Sequence, residues 1–171
     1  YQIDADSLTI HKVPDDFVLT TEVRIEPEKN TALEGLYKSG AFYCTQCEAE
    51  GFRRITYFLD RPDVLARFTT TVEGSKQDHP VLLSNGNPID RGDSGEGRHF
   101  VTWEDPHLKP CYLFALVAGD LDYIEDHYVT SDGRDVTLQI YTTKNNIDKC
   151  DHAMQSLKKS MQWDEDVYGL A

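Results

Sequence analysis

No histidine in this sequence is followed by glutamate, so the His-Glu-x-x-His pattern that places two zinc ligands one helical turn apart is lacking. Gly-x-Ser-x-Gly elbows, phosphate-cradling Gly-Lys-Ser/Thr loops and dinucleotide Gly-x-Gly-x-x-Gly fingerprints are lacking too, which excludes the self-contained chemistries those motifs carry. The longest strongly apolar run, Cys111 to Ala118, is the length of a strand and far short of the roughly 18 residues a membrane helix requires. Basic residues are few: 17 Lys and Arg stand against 30 Asp and Glu, a formal charge of -13 that repels phosphate backbones and anionic lipid. Neither nucleic acid nor a membrane is therefore expected as a partner. Cysteine is sparse, with only Cys44, Cys47, Cys111 and Cys150, and no Asn-x-Ser/Thr acceptor occurs. Reduced thiols and a cytoplasmic setting are expected rather than a disulfide framework. The chain opens Tyr1-Gln2-Ile3-Asp4 with no initiator Met and no leader, which reads as a piece of a longer protein.

What is present suits an ordered domain. Hydrophobic residues make up 39% of 171 residues and include nine Tyr and seven Phe, enough to build a core. Residues 17 to 25 alternate Phe17, Leu19, Thr21, Val23 and Ile25 against polar neighbours, a period of two that predicts a strand. Further strands are expected over 1 to 10, 40 to 46, 64 to 72, 81 to 84, 100 to 103 and 111 to 118. Asn85-Gly86 and Asp132-Gly133 carry hairpin-turn chemistry, and the glycine-rich 92 to 97 segment reads as an exposed loop. From Ile147 the period changes: Ile147, Cys150, Met154, Leu157 and Met161 recur at steps of three and four, predicting an amphipathic helix capped by Asn145 or Asn146 and ended no later than Gly169. The fold expected is mainly β: an antiparallel saddle-like or sandwich domain, then a hairpin and one C-terminal amphipathic helix. The change of pattern after Ala118-Gly119-Asp120 is compatible with a module boundary, and equally with a single domain that ends in a helix.

Cys44-Thr45-Gln46-Cys47 has the spacing of a redox pair or half a zinc site, with His107 and Cys111 as a conceivable second half. No second Cys-x-x-Cys supports it, and inert thiols are the simpler reading. Arg91-Gly92-Asp93 matches a cell-adhesion tripeptide, but three residues recur by chance and a solvated turn suffices. Gln46 and Glu48 lie two apart, so on an extended chain their side chains point the same way. They could present acceptors jointly to a cation or form an ordinary solvated face.

Longer stretches are more specific. Asn30 to Tyr37, Cys44 to Phe52, Tyr57 to Phe68, Leu83 to Asn87 and Pro110 to Asp120 occur in an order that resembles the zinc aminopeptidases of the gluzincin type, in their bacterial aminopeptidase N branch. The resemblance runs from about Pro27 to the end. It implies that residues 1 to 120 are part of an N-terminal β domain and that 121 to 171 open a thermolysin-like catalytic domain. It also implies that Glu48 binds the free α-ammonium of a peptide and that Gln46 helps line the space for its first side chain. The parent protein would be a zinc metallo-aminopeptidase, a hydrolase that takes peptides with a free N-terminus. The family's Gly-x-Met-Glu-Asn motif, zinc helix, third zinc ligand and transition-state Tyr would lie in the remainder of the same polypeptide. On this reading the chain itself holds no catalytic residue and no metal ligand, and is inactive alone. The alternative is a non-catalytic β-rich binding or scaffold module of the same ancestry.

Overall fold

The computed structural model describes residues 1–5 and 7–170, which fall into two compact units that divide between Gly119 and Asp120. The first unit begins with a small hairpin of β1 (Gln2–Ile3) and β2 (Leu8–Thr9). Next come β3 (Gly35–Ser39), β4 (Phe42–Gln46), β5 (Leu65–Ser75), β6 (Val81–Ser84), β7 (Asn87–Gly95), β8 (Arg98–Pro110) and β9 (Leu116–Gly119). They form two antiparallel sheets, one ordered β3-β4-β9-β6 and the other β5-β8-β7.

Val72 and Val101 from the second sheet meet Leu82, Ala118, Tyr43 and Leu116 from the first in one apolar cluster, so the two sheets share a core. Along β5, exposed and less exposed positions alternate, as the period of a strand requires, with Val72 entering that core. The β5–β8 ladder shifts register between Ala66 and Phe68, opposite a β8 segment holding Pro106, which has no N–H to give to a ladder.

The second unit pairs β10 (Asp122–Val129) with β11 (Asp135–Thr142) and continues through a 3-10 segment, Lys144–Lys149, into α1 (Asp151–Tyr168). Leu138, Cys150 and Met154 are buried in it, and Gly169 ends α1 in the left-handed conformation at φ 65. Glu165 on α1 accepts from the Tyr128 hydroxyl and the Ser131 backbone N–H, both at 2.8 Å. Those bonds tie the helix to the tip of its own hairpin.

The mainly β, antiparallel architecture with one C-terminal helix agrees with the sequence pattern, but several local expectations need correction. Residues 17 to 25 join no ladder; alternation favours an extended chain, yet a strand also needs a hydrogen-bonding partner, and Phe17, Val18 and Leu19 remain exposed. The 111 to 118 run is not one strand, because Cys111–Leu113 coil into a 3-10 turn before β9 starts. Asn85-Gly86 does turn the chain, but between sheets rather than within a hairpin: β6 pairs with β9, and β7 with β8. Most of the 92 to 97 segment belongs to β7, exposed as expected but paired. The helix begins at Asp151 with Cys150 as its cap residue, while Asn146 serves the preceding 3-10 segment by bonding Thr143.

Candidate functional site

Gln46 is the last residue of β4, opposite Gly35 on β3, and the chain then turns through residues 47 to 51. Side chains alternate across this exit. Gln46 is exposed, Cys47 is buried and Glu48 is exposed. Gln46 Nε2 donates to the Glu48 carbonyl at 3.3 Å, and the Glu48–Ala49 peptide bond is cis.

Two glycines let the turn sit close to the sheet. Gly51 donates its N–H to the Cys47 carbonyl at 2.8 Å, and a Cβ on Gly51 would stand 2.3 Å from the Gln46 carbonyl and 2.9 Å from the Gly35 nitrogen. Gly35 itself has φ +72, where an L side chain is strained, and a Cβ there would meet Arg54 Cβ at 2.9 Å. Below the turn, Cys47, Phe52 and Cys111 form a buried cluster against Ile55, Phe68 and Phe114. Phe52 meets Phe58 and Phe114 edge to face at 5.1 and 5.2 Å.

A polar knot closes the far side. Asp60 is 8% exposed, and its Oδ2 accepts from the Arg53 backbone N–H and from Arg53 Nε, each at 3.0 Å. Arg53 Nη2 reaches the Asp60 carbonyl at 2.9 Å, and the Cys111 thiol donates to Asp60 Oδ1 at 3.0 Å. Burial pushes the Asp60 carboxyl upward, but donation from Cys111 and Arg53 outweighs it and holds the group below its ordinary value. The thiols respond in the opposite sense. Burial, followed by the hydrogen bond to Asp60 and its charge, raises Cys111 to about 12; burial and the same charge raise Cys47 to about 11.

Charges around the turn are therefore sorted. Arg53 pairs with Asp60 and lies 3.5 Å from Glu50, while Arg54 pairs with Glu34 at 2.7 Å. The Glu48 carboxylate has no hydrogen bond and no ion pair among the described residues. What the turn offers chemically is an exposed, uncompensated carboxylate beside an amide, on a loop pinned at both ends. A concavity of about 240 Å³ lined by Ile25, Glu26, Pro27, Asn30, Leu36 and Arg54 contains neither Gln46 nor Glu48.

The Cys-x-x-Cys pair does not assemble into a metal centre. Cys47 faces the aromatic cluster as a protonated thiol, and Cys44 lies on β4 opposite Tyr37. Among the described residues no three His, Cys, Asp or Glu side chains are grouped so as to hold a metal ion. Asp60 and Arg53 escaped the sequence reading, because a contact seven residues apart, completed by a thiol 51 residues further on, leaves no local pattern.

Comparison with known proteins places the chain in a family. Residues 3–113 match the Peptidase M1 N-terminal domain. The chain is 56% identical to aminopeptidase N of Escherichia coli over 164 residues, covering 96% of the chain and 19% of that protein. It is 54% identical to aminopeptidase N of Caulobacter vibrioides over 169 residues, covering 99% and 20%. A solved structure of Legionella pneumophila aminopeptidase A in complex with aspartic acid superposes with a TM-score of 0.80 at 44% identity, covering 82% of this chain and 17% of that one. The chain thus spans about a fifth of the length of the curated relatives it matches. With that degree of identity along nearly its whole length, the chain belongs to the M1 peptidase family and carries sequence of its N-terminal domain.

Proposed function

We propose that this chain is part of a zinc-dependent aminopeptidase and supplies the anchor for the substrate's N-terminus: Glu48 takes the α-ammonium, and Gln46 borders the space for the first side chain. The observation that carries this reading is the Glu48 carboxylate, exposed and unpaired on a loop whose own cations are already engaged. Once enclosed by the rest of the protein, such a carboxylate is costly to leave without a cation. A peptide with a free N-terminus relieves that cost and a blocked one does not, which confines cleavage to the end of the chain.

In this proposal residues 1 to 120 belong to the N-terminal β domain, and residues 121 to 171 open the catalytic domain. Zinc finds no donor set among the described residues, and in this proposal its ligands belong to the remainder of the polypeptide. The chain alone is inactive, and its partners are peptide substrates and the remainder of its own polypeptide. A cytoplasmic location is part of the proposal, supported by four free cysteines.

The test is Glu48→Ala and Glu48→Gln in the full-length protein. Loss of a partner from an enclosed ion pair costs about 3–5 kcal/mol, so kcat/KM falls on the order of a hundredfold or more while zinc content stays constant. Near-normal turnover in both variants would refute the anchor. A reading frame that stops soon after Ala171, without Gly-x-Met-Glu-Asn or His-Glu-x-x-His, would select the non-catalytic module instead.

A further inference from the structure

Four acidic side chains lie around the β4 exit: Glu34 is paired with Arg54, and Asp60, Glu50 and Glu48 have different fates. Asp60 is buried and held by four donated hydrogen bonds, three from Arg53 and one from Cys111, counting the one to its carbonyl. Glu50 lies 3.5 Å from the same guanidinium. Glu48 receives no cation among the described residues, although Arg53 is only five residues away along the chain. The segment from Cys47 to Arg53 is thus fixed at its start by a buried thiol, at its middle by Gly51 against the Gln46 carbonyl, and at its end by Asp60.

Removing the Asp60 charge has two consequences. The backbone N–H of Arg53 loses its anionic acceptor, and the guanidinium becomes free to seek another carboxylate on the loop. We propose that Asp60 is a positioning residue for Glu48: by engaging Arg53 through both backbone and side chain it fixes the 47–53 turn and leaves the Glu48 carboxylate open to a substrate ammonium. Cys111 belongs to the same device. Its thiol donates to the Oδ1 that Arg53 does not reach. This inference rests on the anchor reading of Glu48 for its consequence in catalysis, but not for its consequence in the loop.

Two measurements separate those parts. Hydrogen exchange on the chain with Asp60→Asn is expected to accelerate about tenfold or more at the Gly51, Arg53 and Arg54 amides, the loss of one charge-assisted bond, while Val72 and Val101 in the β5–β8 ladder hold their rates. Unchanged exchange in the turn, or equal acceleration in turn and ladder, would overturn the proposal. In the full-length protein, Asp60→Asn is expected to lower kcat/KM about tenfold in the parent background and to add nothing to Glu48→Ala, since a residue acting through another is non-additive with it. Additive losses would show that Asp60 acts elsewhere. If Glu48→Ala alone has no effect, the anchor reading fails and the exchange data still decide whether Asp60 holds the turn. Should Asp60→Asn not fold, Cys111→Ser and Cys111→Ala take its place. Serine keeps a donor to Oδ1 and retains slow exchange and full kcat/KM, and alanine loses both. Equal behaviour of the two would sink the assignment.

Discussion

The Trp103 indole on β8 donates from Nε1 to the Leu82 carbonyl on β6 at 3.2 Å, one sheet bonding the edge strand of the other. β6 pairs only with β9 among the strands of its sheet, so its other side carries backbone groups that need acceptors or donors from elsewhere. Trp103→Phe keeps most of the apolar area but leaves the Leu82 carbonyl without this donor. A loss of about 1–2 kcal/mol is expected, read as a lower urea midpoint with unchanged slope. An unaltered midpoint would mean that water replaces the indole at no cost.

Gly51→Ala tests the close approach at the site. Its Cβ would meet two backbone atoms, the Gln46 carbonyl at 2.3 Å and the Gly35 nitrogen at 2.9 Å, neither of which can swing aside as a side chain would. The turn must move away from the β3–β4 end, at a cost of about 1–3 kcal/mol. In amide spectra of the chain, shifts are expected to concentrate at residues 46–54 and near Gly35. A variant with native stability and native spectra would show that the loop has slack.

How much of this could be read from the sequence depends on distance along the chain. The strand expected over 64 to 72 and the Asp132-Gly133 turn between β10 and β11 are local facts, and both are found, the strand as Leu65–Ser75. Asn85-Gly86 is an equally local turn signal, yet a turn says where the chain reverses and not which strand it then pairs with; β9, more than thirty residues further on, takes β6. Phe17 to Ile25 has the period of a strand and no ladder, for the same reason. At the site, alternation alone put Gln46 and Glu48 on one side of the chain, and both are exposed around a buried Cys47. Their role was suggested only by the resemblance, because an exposed amide and carboxylate are ordinary surface chemistry. The Arg53, Asp60 and Cys111 contacts, which set the charge pattern around them, join segments that share no periodicity.

Thiol labelling should follow burial. Cys47, Cys111 and Cys150 are buried, and Cys44 is half-buried on β4. At neutral pH in the native chain, a thiol-exchange reagent is expected to modify Cys44 first. Cys47 and Cys111 should react at the rate of unfolding, since both also hold their protons tightly. Rapid labelling of Cys111 in the folded chain would contradict the Asp60 hydrogen bond.

Alkaline pH should weaken the chain through a defined set of groups. The Tyr43 hydroxyl donates to Glu28, and that bond, followed by burial, raises Tyr43 to about 12 from an ordinary 10.0. Cys47 and Cys111 rise to about 11 and about 12 from 9.0. Each group binds its proton more tightly folded than unfolded, so its contribution is complete below the unfolded value and is lost as pH climbs through the folded one. Urea midpoints should therefore fall progressively between pH 9.0 and about 12. Tyr37, Tyr128 and Tyr141 are raised as well and act in the same sense, so Tyr43→Phe removes one of several titrations, and its midpoint should decline less steeply above pH 10.0, where the tyrosine begins to contribute. Cys111→Ser, whose hydroxyl does not ionise in this range, should flatten the lower part of the same curve from 9.0 upward. A decline equally steep in both variants would assign the alkaline sensitivity to other groups and leave the buried protons without a role in stability.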